Sequence, residues 1–199
     1  MNPTNAVLYS KGSVKRELIL QAALQLFAER GYHGTAVPEL AQIAGVGAGT
    51  IYRYFDNKEA LVNAVFQRAK SLLKDCLHHE LNLEAPPREV FTQFWQRLTS
   101  FARTYPLEFR FLELHHHQPY LNEASIAVEL QVLVPIWSYC VANRRAGIAY
   151  DMPAEALMAL IWGAFVGLFK AEHSGYLVLT DEILNQAEAA CWSSFSNTH

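Results

Sequence analysis

The 199-residue chain is poor in cysteine: Cys76, Cys140 and Cys191 are widely spaced, odd in number and form no C-x-x-C pair. Such a set builds neither a disulfide framework nor a zinc knot, and its natural setting is a reducing cytoplasmic interior. Charge of one sign is scarce too. Sixteen basic residues against nineteen acidic ones leave a net charge of −3, which by itself argues against a nucleic-acid binder. No apolar run is expected to reach the ~18 residues of a membrane span. The nearest, Ala154 to Val178, is interrupted by Glu155, Lys170, Glu172 and His173. The N-terminal MNPTNAVLYSKGS has no basic start followed by an apolar stretch, so no export signal is expected. Strand-type alternation is nearly missing, and neither an internal repeat nor a low-complexity tract is present.

What is present is a globular composition, half apolar, with an uneven charge distribution. Residues 1–70 hold eight basic side chains and five acidic ones, and the remainder holds eight basic and fourteen acidic. A basic head on an acidic body is the asymmetry expected when one end meets phosphate.

Helix signals organise the chain. Leu18, Ala22, Ala23, Leu26 and Phe27 predict one buried helix face, and Gly31 ends that helix. Thr35 is the expected N-cap of a second helix, Ala36 to Ala44, with Pro38 in its first turn and Gly45 at its end. A short third helix, Ala48 to Phe55, follows, and Asn57 caps a fourth running toward His79. Two prolines in EAPPREV, residues 84–90, make the best break in the chain. Beyond it the spacing predicts helices at Arg88–Tyr105, Leu107–Gln118, Asn122–Arg145 with Pro135 inside, Ala154–His173 and Thr180–Phe195. The expected fold is all-α with about nine helices: a three-helix head, residues 1–60, and a helical body, residues 61–199.

The stretch GVGAGTIYRYFDNKEAL, residues 45–61, carries the chemistry. Gly45, Gly47 and Gly49 follow a helix rather than a strand and lead to no G-K-S/T, so a phosphate-cradling enzyme loop is disfavoured. Two short helices joined by a glycine turn are a helix-turn-helix layout, whose second helix is free to enter a major groove. Gly47, Ala48 and Gly49 permit close approach. Thr50, Tyr52, Arg53 and Tyr54 offer donors, while Ile51 and Phe55 face inward. Tyr54 could equally pack the small domain, and Thr35 could serve only as a cap.

On these residues the head resembles the DNA-binding domain of the TetR family of transcriptional regulators. The match covers Leu24 to Phe66: F-A-E-R-G-Y, Thr35, E-L-A-x-x-A-G-V, G-T-I-Y-R-Y-F and N-K-E-A-L. The resemblance extends to the subgroup of repressors relieved by fatty acids, barbiturates and other hydrophobic molecules. It implies phosphate contacts from Thr35, Tyr52, Tyr54 and Lys58, base or phosphate contact from Thr50, and close approach at Gly47 and Ala48. Arg53 is the choice for guanine, whose O6 and N7 match a guanidinium.

One recognition helix is weak against genomic competitors, so a homodimer on palindromic double-stranded DNA is expected. Leu160, Gly163, Ala164, Gly167 and Leu168, with Leu184, Ala187 and Cys191 of the last helix, are the expected seam. Phe91, Phe94, Trp95, Phe101, Phe111, Tyr120 and Trp137, with His115, form either a plain core or the wall of a site for a small hydrophobic inducer. The run His115–His117 cannot grip one metal ion, because successive helical side chains diverge by about 100°. Glu108, Glu113 and His115 have no nucleophile beside them, so no enzyme and no cofactor are expected. Regulation without a ligand, or activation rather than repression, stays open.

Overall fold

The computed structural model describes residues 11–197, with side chains from Ser13 onward. Most of the segment read for an export signal therefore lies outside the described residues. Nine α-helices succeed one another among the described residues: α1 (Lys11–Arg30), α2 (Val37–Ile43), α3 (Ala48–Tyr54), α4 (Lys58–His78), α5 (Pro87–Thr104), α6 (Pro106–Leu114), α7 (Glu123–Arg145), α8 (Ala154–His173) and α9 (Asp181–Phe195). A 3-10 turn, Gln118–Tyr120, separates α6 from α7. The all-α expectation holds.

Local chemistry explains most boundaries. Gly31 (φ +69) and Gly45 (φ +64) adopt the left-handed conformation that closes α1 and α2. Pro38 sits in the first turn of α2, and Pro87 opens α5. Side-chain caps start three helices: Asn57 accepts from the Ala60 amide at 2.7 Å, Asn122 from Ser125 at 3.0 Å and Thr180 from Ile183 at 3.3 Å.

Four expectations need correction. Thr35 does not cap α2. Ala36 holds that position without a side-chain bond, and the Thr35 hydroxyl donates instead to the Gly31 carbonyl at 2.9 Å. Leu18 is exposed, because the buried face of α1 runs through Ile19, Ala22, Ala23, Leu26 and Phe27. The sixth helix stops at Leu114, four residues early, where the chain turns toward Pro119. Finally, α7 and α8 each hold an 18-residue window of mean hydropathy 1.5, long and apolar enough by composition to cross a bilayer. In α8 the charges cluster at the ends, so interrupting residues exclude less than their number implied. Only 17% and 22% of those windows are buried within the chain.

The chain groups into two compact units: residues up to Ala69 with Leu107–Ser125, and Lys70–Pro106 with the residues from Ile126 onward. The first unit is built on Ile19, Phe27, Leu40, Ile51, Leu61, Val62 and Phe111, each at most 2% exposed. Its α6 is tied to α1 by the Phe27–Phe111 ring contact and by His115 Nε2 against the Ala28 carbonyl at 2.8 Å. The core of the second unit contains Leu73, Leu77, Val90, Phe101, Leu157, Phe165 and Phe195. There α5 and α9 are clamped by an ion pair in which Glu188 takes both Arg88 guanidinium nitrogens and the Thr92 hydroxyl.

Candidate nucleic-acid interface

The α2–α3 corner follows from its small residues. Leu40, Ala41 and Ala44 are buried on one side of the turn, Ile51 and Phe55 on the other, and the Val46 amide closes the corner on the Ala41 carbonyl at 3.0 Å. With those side chains inward, Gly47, Ala48, Gly49, Tyr52 and Arg53 are exposed, and Thr50 and Tyr54 are half-buried. Tyr52 is 53% exposed. The Arg53 guanidinium rests 5.3 Å from the centre of the Tyr54 ring. This presents hydroxyls and a guanidinium on a surface that small residues leave low.

Lys58, half-buried at the first turn of α4, sits with its ammonium 4.3 Å from the centre of the Tyr32 ring. Burial pulls its pKa below the ordinary lysine value. Thr35 differs from the other positions: it is 3% exposed with its hydroxyl turned to Gly31. The unpaired carbonyl beyond the end of α1 draws that hydroxyl inward.

Sequence reading overlooked Tyr32 and Asn63, which hold Lys58 and the α6–α7 connection in place. Tyr32 also stacks on Tyr120 with ring centres 4.0 Å apart, and the Tyr120 hydroxyl meets His33 Nε2 at 2.5 Å. Asn63, 4% exposed, donates to the Tyr120 carbonyl at 2.7 Å and accepts from the Asn122 amide at 2.8 Å and the Ser125 hydroxyl at 2.6 Å. One amide therefore pins the start of α7 to α4. A lone asparagine in the apolar run LVNAVF was the available signal. Replacing Asn63 by leucine strands a carbonyl, an amide and a hydroxyl. The expected loss is about 2 kcal/mol or more, measured by urea unfolding.

The aromatic set does not assemble as one group. Phe91, Phe94, Trp95 and Phe101 line the inner side of α5, each at most 8% exposed. Phe91 meets Trp192 and Phe195, Phe94 meets Tyr139, and Trp95 meets Phe165. Phe111, His115 and Tyr120 belong to the other unit, against α1 and the α1–α2 turn. Trp137 is 42% exposed and donates its indole N–H to Glu155 at 2.8 Å. The difference arises because α6 packs on α1, a pairing across about eighty positions that no local pattern encodes.

A groove of about 780 Å³ lies between the C-terminal half of α4 and α7, lined by Lys74, Asp75, His78, His79, Ala127, Leu130, Gln131, Val134 and Pro135. His78 bonds the Val132 carbonyl through Nε2 at 3.2 Å. Burial, with smaller contributions from Arg97 and Lys74, holds its pKa below the usual histidine value despite that bond. A folded-state pKa below the unfolded one gives stability that is full above the unfolded value of ~6.5 and is lost as pH falls below it. The melting temperature should therefore drop between pH 7.5 and pH 5, and His78→Gln should flatten the drop.

On α8, Leu160 is 53% exposed, Gly163, Ala164 and Gly167 are exposed, and a Cβ built on either glycine meets nothing within 4 Å. Leu184 and Cys191, expected at a subunit seam, are instead 3% and 7% exposed and belong to the protomer's own core. They share the face of α9 with Glu188, which the Arg88 ion pair turns toward α5. The outward side of α9 carries Gln186, Ala190, Ser193 and Ser194, with Ala187 half-buried.

Comparison with known proteins matches this arrangement. Residues 19–65 fit the model of bacterial regulatory proteins of the tetR family, and residues 66–197 fit the tetracyclin repressor-like C-terminal domain. The HTH-type transcriptional regulator RutR of Escherichia coli K12 is 26% identical over 155 residues, 76% of this chain and 72% of its own. A putative TetR-family transcriptional regulator from Vibrio parahaemolyticus superposes with a TM-score of 0.73 at 27% identity, covering 92% of this chain and all of that one. The transcriptional regulator FadR of Bacillus subtilis, solved in complex with stearoyl-CoA, shares the fold, with a TM-score of 0.73 at 19% identity over 90% of this chain and 98% of its own. With family models spanning both the helix-turn-helix head and the helical body, the chain belongs to the TetR family of DNA-binding transcriptional regulators.

Proposed function

We propose that the protein is a dimeric repressor that covers a palindromic operator and is released from it by a small hydrophobic or amphipathic ligand. The observation that carries the reading is the tip at which Gly47, Ala48, Gly49, Tyr52 and Arg53 are exposed, flanked by Lys58 at the head of α4. Thr50, Tyr52, Tyr54 and Lys58 contact phosphates, Gly47 and Ala48 bring α3 against base edges, and Arg53 reads guanine. Thr35 supports the corner, since its hydroxyl already serves Gly31.

Dimerisation is supported by apolar surface left on α8, around Leu160, Gly163, Ala164, Gly167 and Leu168, and on the outward side of α9 at Ala187 and Ala190. Reading a palindrome requires that the dimer hold its two tips at the ~34 Å spacing of successive major grooves. Ligand control is supported by the aromatic lining of α5 and by the groove beside α4. The helix that lines this groove carries Lys58 at its other end, so a ligand that favours the DNA-incompetent form by ~100-fold shifts the balance by about 2.7 kcal/mol. FadR, with its stearoyl-CoA, is a family precedent for a ligand of this class.

The test is a gel shift with the DNA flanking the protein's own coding region, repeated with long-chain acyl compounds and cationic dyes. Binding to an inverted repeat that such a compound reverses is the expected result. Binding that no compound reverses leaves a ligand-independent regulator, and no preference for any inverted repeat over random competitor ends the proposal.

A further inference from the structure

Trp95 and Thr99 lie one turn apart on α5, so their side chains share a face. The indole nitrogen of Trp95 and the hydroxyl oxygen of Thr99 are both closed to solvent, and neither has a hydrogen-bond partner among the described residues. Trp95 as a whole is 3% exposed, with the Phe165 ring edge-on at 5.2 Å. Among the described residues, the other buried side-chain polar atoms of this unit are paired. Glu188 has Arg88 and Thr92, the Tyr139 hydroxyl donates to the Pro87 carbonyl at 2.6 Å, and the Asn143 amide donates to the Tyr139 carbonyl at 2.9 Å. Buried donors are almost always satisfied, and a fold that leaves two together on one helix face departs from that rule where function demands it.

We propose that Trp95 and Thr99 are the polar end of the effector site and that they select an uncharged carbonyl, as in an ester, thioester, amide or ketone, on an otherwise apolar molecule. The inference rests on the ligand-released reading above and adds the chemical class of the ligand. An indole N–H only donates, a hydroxyl has one proton to give, and a carbonyl oxygen has two lone pairs to receive both. A carboxylate fits less well, because a buried anion needs a countercharge. The arginines of α5 are committed elsewhere: Arg88 to Glu188, Arg97 to the His79 carbonyl and Arg103 to Glu172 and the Leu179 carbonyl. Phe91, Phe94, Leu98 and Phe101 supply the apolar remainder of the helix.

The experiment uses the full chain, Thr99→Val and Trp95→Phe, with methyl decanoate and decanoic acid as matched probes. Melting curves are recorded with and without each probe, beside operator gel shifts. Without probe, Thr99→Val should melt about 2–4 °C higher than the parent, because the change removes an unpaid buried hydroxyl. The ester should raise the parent's melting temperature and release the operator at a concentration at least ~10-fold lower than the acid. Each variant should need ~3–10-fold more ester, the size of one hydrogen bond. A Thr99→Val protein that melts lower than the parent, an acid as potent as the ester, or an ester potency untouched by both substitutions overturns the assignment. Failure of the regulator reading is separable: operator DNA is then not bound, while the melting curves still report on the two donors. If neither probe shifts melting, the carbonyl site is wrong whatever the DNA result.

Discussion

Alanine at Lys58 should weaken operator binding by on the order of 50-fold at 0.1 M salt while leaving the fold intact. Each neutralised phosphate contributes about 0.9 to the slope of log affinity against log salt. Two heads that each lose one contact reduce that slope by about 1.8, which over the tenfold range between 0.1 M and 1 M salt is the stated factor. Lys58 is half-buried on the Tyr32 ring and makes no ion pair among those found in the described residues, so stability should change by no more than about 1 kcal/mol. Alanine at Tyr52 removes a hydroxyl from a 53% exposed side chain. A bond to a charged partner is worth about 1.5–3 kcal/mol, so the expected loss exceeds ~10-fold per head. Fluorescence anisotropy over a salt series measures both the loss and the slope. If both variants bind the same site as well as the parent at moderate salt, the contact assignment is wrong.

Replacing Arg88 by methionine should cost about 3 kcal/mol, and the measured melting temperature should fall by roughly 6–12 °C. The reason is asymmetric burial. The Glu188 side chain is 10% exposed and the Arg88 side chain 40%, so removing the arginine leaves a nearly enclosed carboxylate with only the Thr92 hydroxyl. The same pair joins α5 to α9, and the Arg88 guanidinium lies 5.3 Å from the centre of the Trp192 ring, so the loss falls on the seam between these helices. A second substitution, Glu188→Leu, should recover most of the loss, because an apolar pair of similar volume carries no unmatched charge. A single variant that melts within 2 °C of the parent would show that the carboxylate is solvated after all.

Both predictions depend on features of unequal visibility in the sequence. Tyr52 was legible as an outward donor because the helix after Gly45 turns Ile51 and Phe55 inward, whereas a phosphate role for Lys58 came only from the family resemblance. Arg88 and Glu188 are a hundred positions apart, and neither sits in a motif. The aromatic body shows the same limit. Phe91, Phe94, Trp95 and Phe101 came out together because helical spacing alone aligns them on α5. Phe111, His115 and Tyr120 looked like their companions, yet they pack against the head, since α6 and the turn after it dock on α1 and α4. Thr35 shows how a shift of one residue changes a role: Ala36 takes the cap position of α2, and the Thr35 hydroxyl donates to the Gly31 carbonyl instead.

The amino-acid order by itself determined the helices, their glycine and proline boundaries, three of their caps and the small-faced tip of the head, because each of these depends on backbone torsions and bonds within four residues. Only the tertiary structure decided that Asn63 holds the α6–α7 connection, that Leu184 and Cys191 turn inward, and that the Trp95 indole nitrogen and the Thr99 hydroxyl are enclosed without partners among the described residues. Those outcomes depend on which helix faces meet across fifty to a hundred positions, where burial is shared between segments and no single stretch of sequence records it.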